Sequence, residues 1–181
     1  MCSIEDCKRE GYLFMEVLDL IRERRSIRSY DGCVVETEKL EKVLEAGRLA
    51  PSARNMQEWK FVVVQGARLA ALCEACSSQR MVQEAGTALV ICAAEDHVMP
   101  CGQPSGTIDC SIALSFMLLQ AQELGLGMCW LGAFDADAVK RALDLPQEWV
   151  PVAVSPLGYP AEQPAARPRK AMEEITLFLK D

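Results

Sequence analysis

Histidine is almost missing from this chain. His97 is the single one in 181 residues, and it lies in a stretch punctuated by Pro100, Gly102, Pro104 and Gly106. A Ser-His-Asp hydrolase needs an imidazole held rigidly between nucleophile and carboxylate, and a Pro/Gly loop argues against that. Positive charge is also scarce: 19 Lys and Arg stand against 26 Asp and Glu, a net charge of -7. Nucleic acid and anionic membrane surfaces demand an excess of Lys and Arg, so neither is expected as a partner, and the acidity reads as solubility. Long apolar runs are absent too. The longest strongly apolar run, Ala88 to Ala94, is far below the roughly 18 residues of a membrane span. The opening Met1 to Lys8 is polar where a secretory signal would be apolar. The expectation is a soluble cytoplasmic protein.

Several cofactor signatures are missing as well. No G-x-G-x-x-G marks a Rossmann site for a tightly held nicotinamide, and no G-x-x-x-x-G-K marks a phosphate loop. Cysteine, by contrast, is abundant: Cys2, Cys7, Cys33, Cys73, Cys76, Cys92, Cys101, Cys110 and Cys129. An odd number without a signal sequence favours reduced thiols over a disulfide framework. Cys73 and Cys76 form a C-x-x-C, but no second pair or spaced histidines complete a zinc site, and the iron–sulfur spacing C-x-x-C-x-x-C does not occur. No metal site is expected. Leu69, Leu72, Cys73 and Cys76 also fit one helical pattern. Two readings of the pair stay open: helix residues, or a thiol or metal redox site acting with Cys2 and Cys7.

The remaining pattern describes one domain over residues 1–181, with residues 1–11 as a flexible extension. Half of the residues are apolar, enough for a sizeable core. Helical spacing predicts a first helix over Phe14–Glu23 and a second that Thr37 caps, with Leu40, Val43 and Leu44 on its apolar face, ending before Pro51. Buried strands are expected over Trp59–Val64 and Thr87–Ala94, with a short helix over Leu69–Cys76 between them. His97 to Gly106 reads as a loop. Thr107 to Leu124 is apolar nearly all round, so it must be buried on every side, and a subunit interface is one route to that. Strands follow at Met128–Leu131 and Val150–Val154, with a helix capped by Asp135 and running through Leu143. Strands alternate with helices, which indicates α/β or α+β. Pro160 to Arg169 reads as extended.

Three segments carry chemistry. Arg24, Arg25 and Arg28 surround Ser26, and Arg167, Arg169 and Lys170 lie near the other end. Guanidinium forks suit phosphate, because paired charge-assisted bonds fix both position and orientation. If the two groups meet, they form a phosphate clamp. The second segment, Pro51-Ser52-Ala53-Arg54-Asn55-Met56-Gln57-Glu58-Trp59, offers short hydrogen-bonding side chains on a backbone stiffened by Pro51. The third, Gly125-Leu126-Gly127-Met128-Cys129-Trp130-Leu131-Gly132-Ala133-Phe134, ends in a turn where Gly132 allows a close backbone approach. Each also has an ordinary reading, as a solvated basic turn, a helix-to-strand turn and a strand-to-helix turn.

Taken in order, with Gly158-Tyr159-Pro160 and Arg167-Pro168-Arg169, these segments resemble the FMN-dependent nitroreductase family, with its RRSxR-type start and PSxxNxQxW loop. The resemblance covers nearly the whole chain. It implies an α+β fold, a mostly antiparallel four-stranded sheet flanked by helices, in a domain-sharing homodimer with FMN at the interface. By this resemblance Arg24, Arg25, Arg167 and Arg169 hold the FMN phosphate, Ser26 contacts the ligand, and Arg28 stabilises negative charge on the reduced flavin. Pro51, Ser52, Ala53, Asn55 and, less firmly, Gln57 cover the flavin from the opposite subunit, while Trp59 falls to the core. Glu58 departs from the family's usual proline, which should alter loop stiffness. Leu131, Gly132 and Ala133 face the flavin N5 and O4 edge. Asp109 matches a polar position near the site, or serves as a charge at a helix N-terminus. A family amide contact would fall near Ser78 and Gln79, where the match is poor. The resemblance implies hydride transfer from NADH or NADPH through flavin N5 to a nitroaromatic, quinone or related small acceptor, with no catalytic side chain of its own. Related branches dehalogenate or fragment their ligands. The alternatives are an FMN-binding sensor or carrier with little turnover, and the thiol protein described above.

Overall fold

Four strands form one sheet in the order β1-β2-β4-β3 in the computed structural model, which describes residues 16–180. The strands are β1 (Trp59–Gln65), β2 (Thr87–Ala93), β3 (Gly127–Met128) and β4 (Val150–Gly158), and every neighbouring pair is antiparallel. The helices are α1 (Val17–Glu23), α2 (Thr37–Arg48), α3 (Arg68–Ala75), α4 (Met81–Glu84), α5 (Ser105–Glu123), α6 (Ala136–Leu143) and α7 (Met172–Ile175), with a 3-10 turn at Ala53–Asn55. The expected α+β class and four-stranded antiparallel sheet are therefore present. The extension expected over residues 1–11, the helix start at Phe14, and Cys2 and Cys7 lie outside the described residues.

The sheet is covered on both faces, and β2 shows why. All seven of its residues are buried. Successive side chains point to opposite faces of a strand. Ala88, Val90 and Cys92 accordingly join a core with Leu72, Cys76 and Val82 of the α3–α4 region and Val139 of α6. Leu89, Ile91 and Ala93 join a second core with Val43 of α2 and Cys110, Leu114 and Met117 of α5. A strand enclosed on both faces is near-continuously apolar rather than alternating, which is the pattern from Ala88 to Ala93, and the polar Thr87 at its start accepts from the Gln65 amide at 2.9 Å. Each large buried side chain of this kind contributes about 1.5–3 kcal/mol.

Helix α5 is only partly enclosed within one chain. Its inner stripe, Cys110, Ala113, Leu114, Met117 and Ala121, is buried, while Phe116 remains 42% exposed and Ile112 and Leu118 are half-buried. The apolar character all round thus exceeds what one copy covers.

Some boundaries differ from the expectations. Thr37 is the first helical residue of α2 rather than its cap. Glu36 holds the cap position without a side-chain capping hydrogen bond; its carboxylate instead pairs with Lys39 at 3.7 Å and accepts the Tyr159 hydroxyl at 2.7 Å. The third strand is two residues long, not four. Cys129 and Trp130 leave the ladder, and Leu131 rejoins it as a single bridge to Val154. β4 contains Pro151 and Pro156 and runs on to Gly158, past the expected end at Val154. Val154 turns its N–H to Leu131, so Pro156, two residues on, has its nitrogen on that same edge, where β3 pairs only with Leu157 and Gly158; Pro151 lies at the register shift opposite Ile91 and Cys92. Helix α5 begins at Ser105 rather than Thr107. Asp135 does cap α6, its carboxylate accepting the Ala138 N–H at 2.8 Å.

The segment before α2 is drawn onto the sheet. Ser26 pairs in parallel with Met128 of β3, and the Ile27 N–H donates to the Met128 carbonyl at 3.1 Å. A Cβ on Gly127 would lie 2.7 Å from Ile27 Cγ1, so glycine is what lets the arginine segment approach this closely.

Buried thiols give the fold an alkaline limit. Burial pushes Cys92 and Cys110 up to about 12, whereas an unfolded cysteine titrates near about 8.5. Between those values the unfolded chain loses protons that the native chain keeps, so stability falls as pH rises through that window. Urea midpoints under reductant should drop between about pH 8 and pH 10.5, and equal midpoints would contradict this.

Candidate functional site

The two arginine groups, more than 130 residues apart in sequence, meet. Arg24, Arg25, Ser26 and Arg28 line one cleft of about 430 Å³ together with Arg167, Arg169 and the Pro164–Ala166 stretch. The first group is positioned by the bridge to β3 described above. The second is carried by an extended segment following β4, where the Ala161 N–H donates to the Ser29 carbonyl at 2.9 Å. Arg22 also lines the cleft, but it is bound to Asp19 at 3.1 Å. Among the described residues, no carboxylate forms an ion pair with Arg24, Arg25, Arg28, Arg167 or Arg169.

The electrostatics of this cleft call for an anion. Burial, then Arg169, then Arg25 push the Arg24 guanidinium below its ordinary value, with Cys129 opposing. Arg25 turns one amino group to the Arg22 carbonyl at 2.6 Å and the Arg24 carbonyl at 3.2 Å. Its Nε is buried and has no hydrogen-bond partner. A buried unpaired donor of this kind costs about 1–3 kcal/mol, and a phosphate oxygen would satisfy it. Converging guanidinium forks and an orphaned N–H fit a phosphate monoester.

The other expected residues fall into two further groups. Both oxygens of the buried Asp109 accept the Ala53 N–H at 3.1 Å. Asp109 therefore ties the Pro51–Gln57 loop to the start of α5. The Ser52 hydroxyl accepts the Gln57 N–H at 3.2 Å. Within the loop Arg54, Asn55 and Gln57 all have φ between 52° and 57°, a left-handed geometry that non-glycine residues hold only when their surroundings enforce it. Pro51, Asn55 and Gln57 are exposed. In one chain this loop does not line the arginine cleft.

The third group is the turn after β3. The N–H of the buried Leu131 is spent on the Val154 carbonyl at 2.9 Å. Gly132 and Ala133 are exposed, and among the described residues their N–H groups have no backbone acceptor. Gln79 holds this turn in place: its side-chain amide donates to the Ala133 carbonyl and the Cys76 carbonyl, both at 3.1 Å. The sequence match around Ser78 and Gln79 is poor, yet Gln79 reaches the turn because Ser77 and Ser78 both take left-handed geometry, φ 57° and 55°. Two other residues contribute. Cys129 lies buried beside the arginines; burial raises its thiol, while Arg28, the Ser26 hydroxyl and Arg24 oppose that. Glu162 accepts the Arg28 N–H at 2.5 Å and the Ser29 N–H at 3.1 Å. Neither residue type signals such a role from its spacing.

The thiol reading of Cys73 and Cys76 is disfavoured. Both are buried, and burial raises Cys73 and pushes Cys76 up to about 11. The thiolate is the reactive and ligating form, and this environment suppresses it.

Comparison with known proteins bears on the whole arrangement. The family model described as the nitroreductase family matches residues 21–79 and 66–159. A protein of Methanothermobacter thermautotrophicus whose name carries NADH dehydrogenase and NAD(P)H nitroreductase is 36% identical over 84% of this chain and 82% of its own length. The FMN reductase [NAD(P)H] of Bacillus subtilis is 30% identical over 88% of this chain and 72% of its own. A solved Desulfovibrio desulfuricans structure in complex with FMN superposes with a TM-score of 0.82 at 29% identity, covering 92% of this chain and 98% of that one.

Removing one guanidinium tests the cleft directly. Arg24→Ala and Arg169→Ala should each weaken binding of a phosphate monoester by about 1.5–3 kcal/mol, the worth of a charge-assisted bond. Isothermal titration would read this, and unaltered affinity in both variants would count against convergence on one anion.

Proposed function

The chain belongs to the nitroreductase family, and from that premise we propose that it is an FMN-dependent NAD(P)H oxidoreductase working as a homodimer. The observation that carries this reading is the convergence of Arg24, Arg25, Arg167 and Arg169 on one cleft. The FMN held by the Desulfovibrio relative and the name of the Bacillus relative support the cofactor.

When bound, FMN supplies the electron-storing chemistry by which hydride from NADH or NADPH reaches a nitroaromatic, quinone or related small acceptor. The residues of this chain bind and orient. Arg24, Arg25, Arg167 and Arg169 hold the phosphate through charge-assisted bonds. Ser26 adds a hydroxyl at the same cleft. Arg28 supplies fixed positive charge where reduction adds negative charge. The N–H groups of Gly132 and Ala133, in the turn fastened by Gln79, stand free for the ring. No side chain needs to donate or remove a proton for hydride transfer, so none is assigned a catalytic role.

The homodimer accounts for two features left open by a single chain. The half-exposed apolar side of α5, with Phe116, Leu118 and Ile112, needs a cover. The Pro51, Ser52, Ala53, Asn55 and Gln57 loop, shaped by Asp109 but remote from the cleft of its own chain, serves the second copy. Among the described residues no helix is long and apolar enough to cross a membrane.

Two measurements test the reading. The purified protein should carry a flavin absorption band that bleaches on anaerobic addition of NADH or NADPH and returns when a quinone is added. A colourless protein would defeat the cofactor assignment, and a band that never bleaches would leave a flavin carrier or sensor instead. Leu118→Asp should convert a dimer into a monomer in analytical ultracentrifugation, because it places a charge on the apolar side of α5. An intact, well-folded dimer would contradict that interface.

A further inference from the structure

We propose that Glu162 is the positioning residue that closes the arginine cleft, by pinning the C-terminal segment against the arginine segment. The proposal rests on the reading of that cleft as the FMN phosphate site. From Ala161 to Lys170 the chain forms neither helix nor strand. Its ties to the body form a short series: the Asp31 N–H donates to the Tyr159 carbonyl at 3.1 Å, Tyr30 bridges Pro160, and the Ala161 N–H donates to Ser29 at 2.9 Å. Glu162 is next, one carboxylate oxygen accepting the Arg28 N–H at 2.5 Å and the Ser29 N–H at 3.1 Å. Past Glu162, among the described residues, no hydrogen bond joins 163–170 to the rest of the chain. Arg169 reaches only the carbonyl of adjacent Pro168, at 3.4 Å.

The segment beyond this pin carries Arg167 and Arg169, which must face Arg24, Arg25 and Arg28. Like charges at close range repel, so the untethered arm would swing away if nothing held its root. Two charge-assisted bonds from one carboxylate to two successive backbone N–H groups fix both the position and the direction of that root. Charge alone would argue the other way, since a carboxylate close to an anion site repels the anion. The mechanical and electrostatic roles of Glu162 therefore predict opposite signs on its removal.

The test uses the full chain. Glu162→Ala and Glu162→Gln are prepared, far-UV circular dichroism confirms the fold, and FMN is titrated into the flavin-free protein by fluorescence quenching. In Glu162→Ala the FMN Kd should rise about tenfold or more, the scale of a lost charge-assisted pair. Glu162→Gln, whose amide oxygen still accepts the N–H bonds, should lie within about threefold of the unaltered protein. A second readout needs no flavin: tryptic cleavage after Arg169 and Lys170 should be faster in Glu162→Ala and near normal in Glu162→Gln. FMN binding in Glu162→Ala as tight as in the unaltered chain, or tighter, would overturn the proposal, as would Gln behaving like Ala. If the unaltered chain takes up no FMN, the cofactor reading falls, while the cleavage rates still decide whether Glu162 pins the arm.

Discussion

Guanidinium groups gathered from both ends of the chain into one cleft are the constraint around which the rest is arranged. At Arg24, burial, then Arg169 and Arg25, hold the guanidinium below its ordinary value. Such a cluster holds only if backbone geometry, not side-chain attraction, brings its members together. The Ser26–Met128 pairing and the Glu162 bonds to Arg28 and Ser29 supply that geometry.

The sheet is the rigid reference for all three groups of site residues. Its central strands are enclosed between two helical cores. The arginine segment lies along β3, the Leu131 turn bridges to β4, and the C-terminal arm departs from the end of β4. Arg24, Arg28, Gly132 and Ala133 are thus one or two residues from a bridge to the sheet, whereas Arg167 and Arg169 lie farther out on the extended arm that follows Gly158. The Pro51–Gln57 loop follows a different plan. It is anchored by Asp109 on α5, so any change at the outer side of that helix also bears on the loop.

Much of the fold was legible in the residues. The apolar run that follows Thr87 indicated a strand buried on both faces, and Asp135 announced the helix it caps. Other features were less legible. β4 runs past the expected Val154 to Gly158, because a sequence does not say which edge of a strand lacks a partner. The short β3 was read as four residues because Cys129 and Trp130 are as apolar as their neighbours. The candidate site divided the same way. Arg24, Arg25, Arg167 and Arg169 are readable as candidate phosphate ligands, and Arg28 as a candidate charge beside the flavin, from their chemistry and their resemblance to a family pattern. Gln79 and Glu162 were not, because each acts on backbone groups that only folding brings near.

The sequence by itself determined which groups could bind a phosphate and which stretches had to be buried, because guanidinium chemistry and apolar periodicity are local properties. Only the tertiary structure decided that the two arginine groups share a cleft, that Asp109 holds a loop rather than merely complementing a helix end, and that Leu131 spends its N–H on Val154. Those outcomes depend on distances between residues far apart in the chain, which the packing of the two cores on the sheet sets and no short pattern encodes.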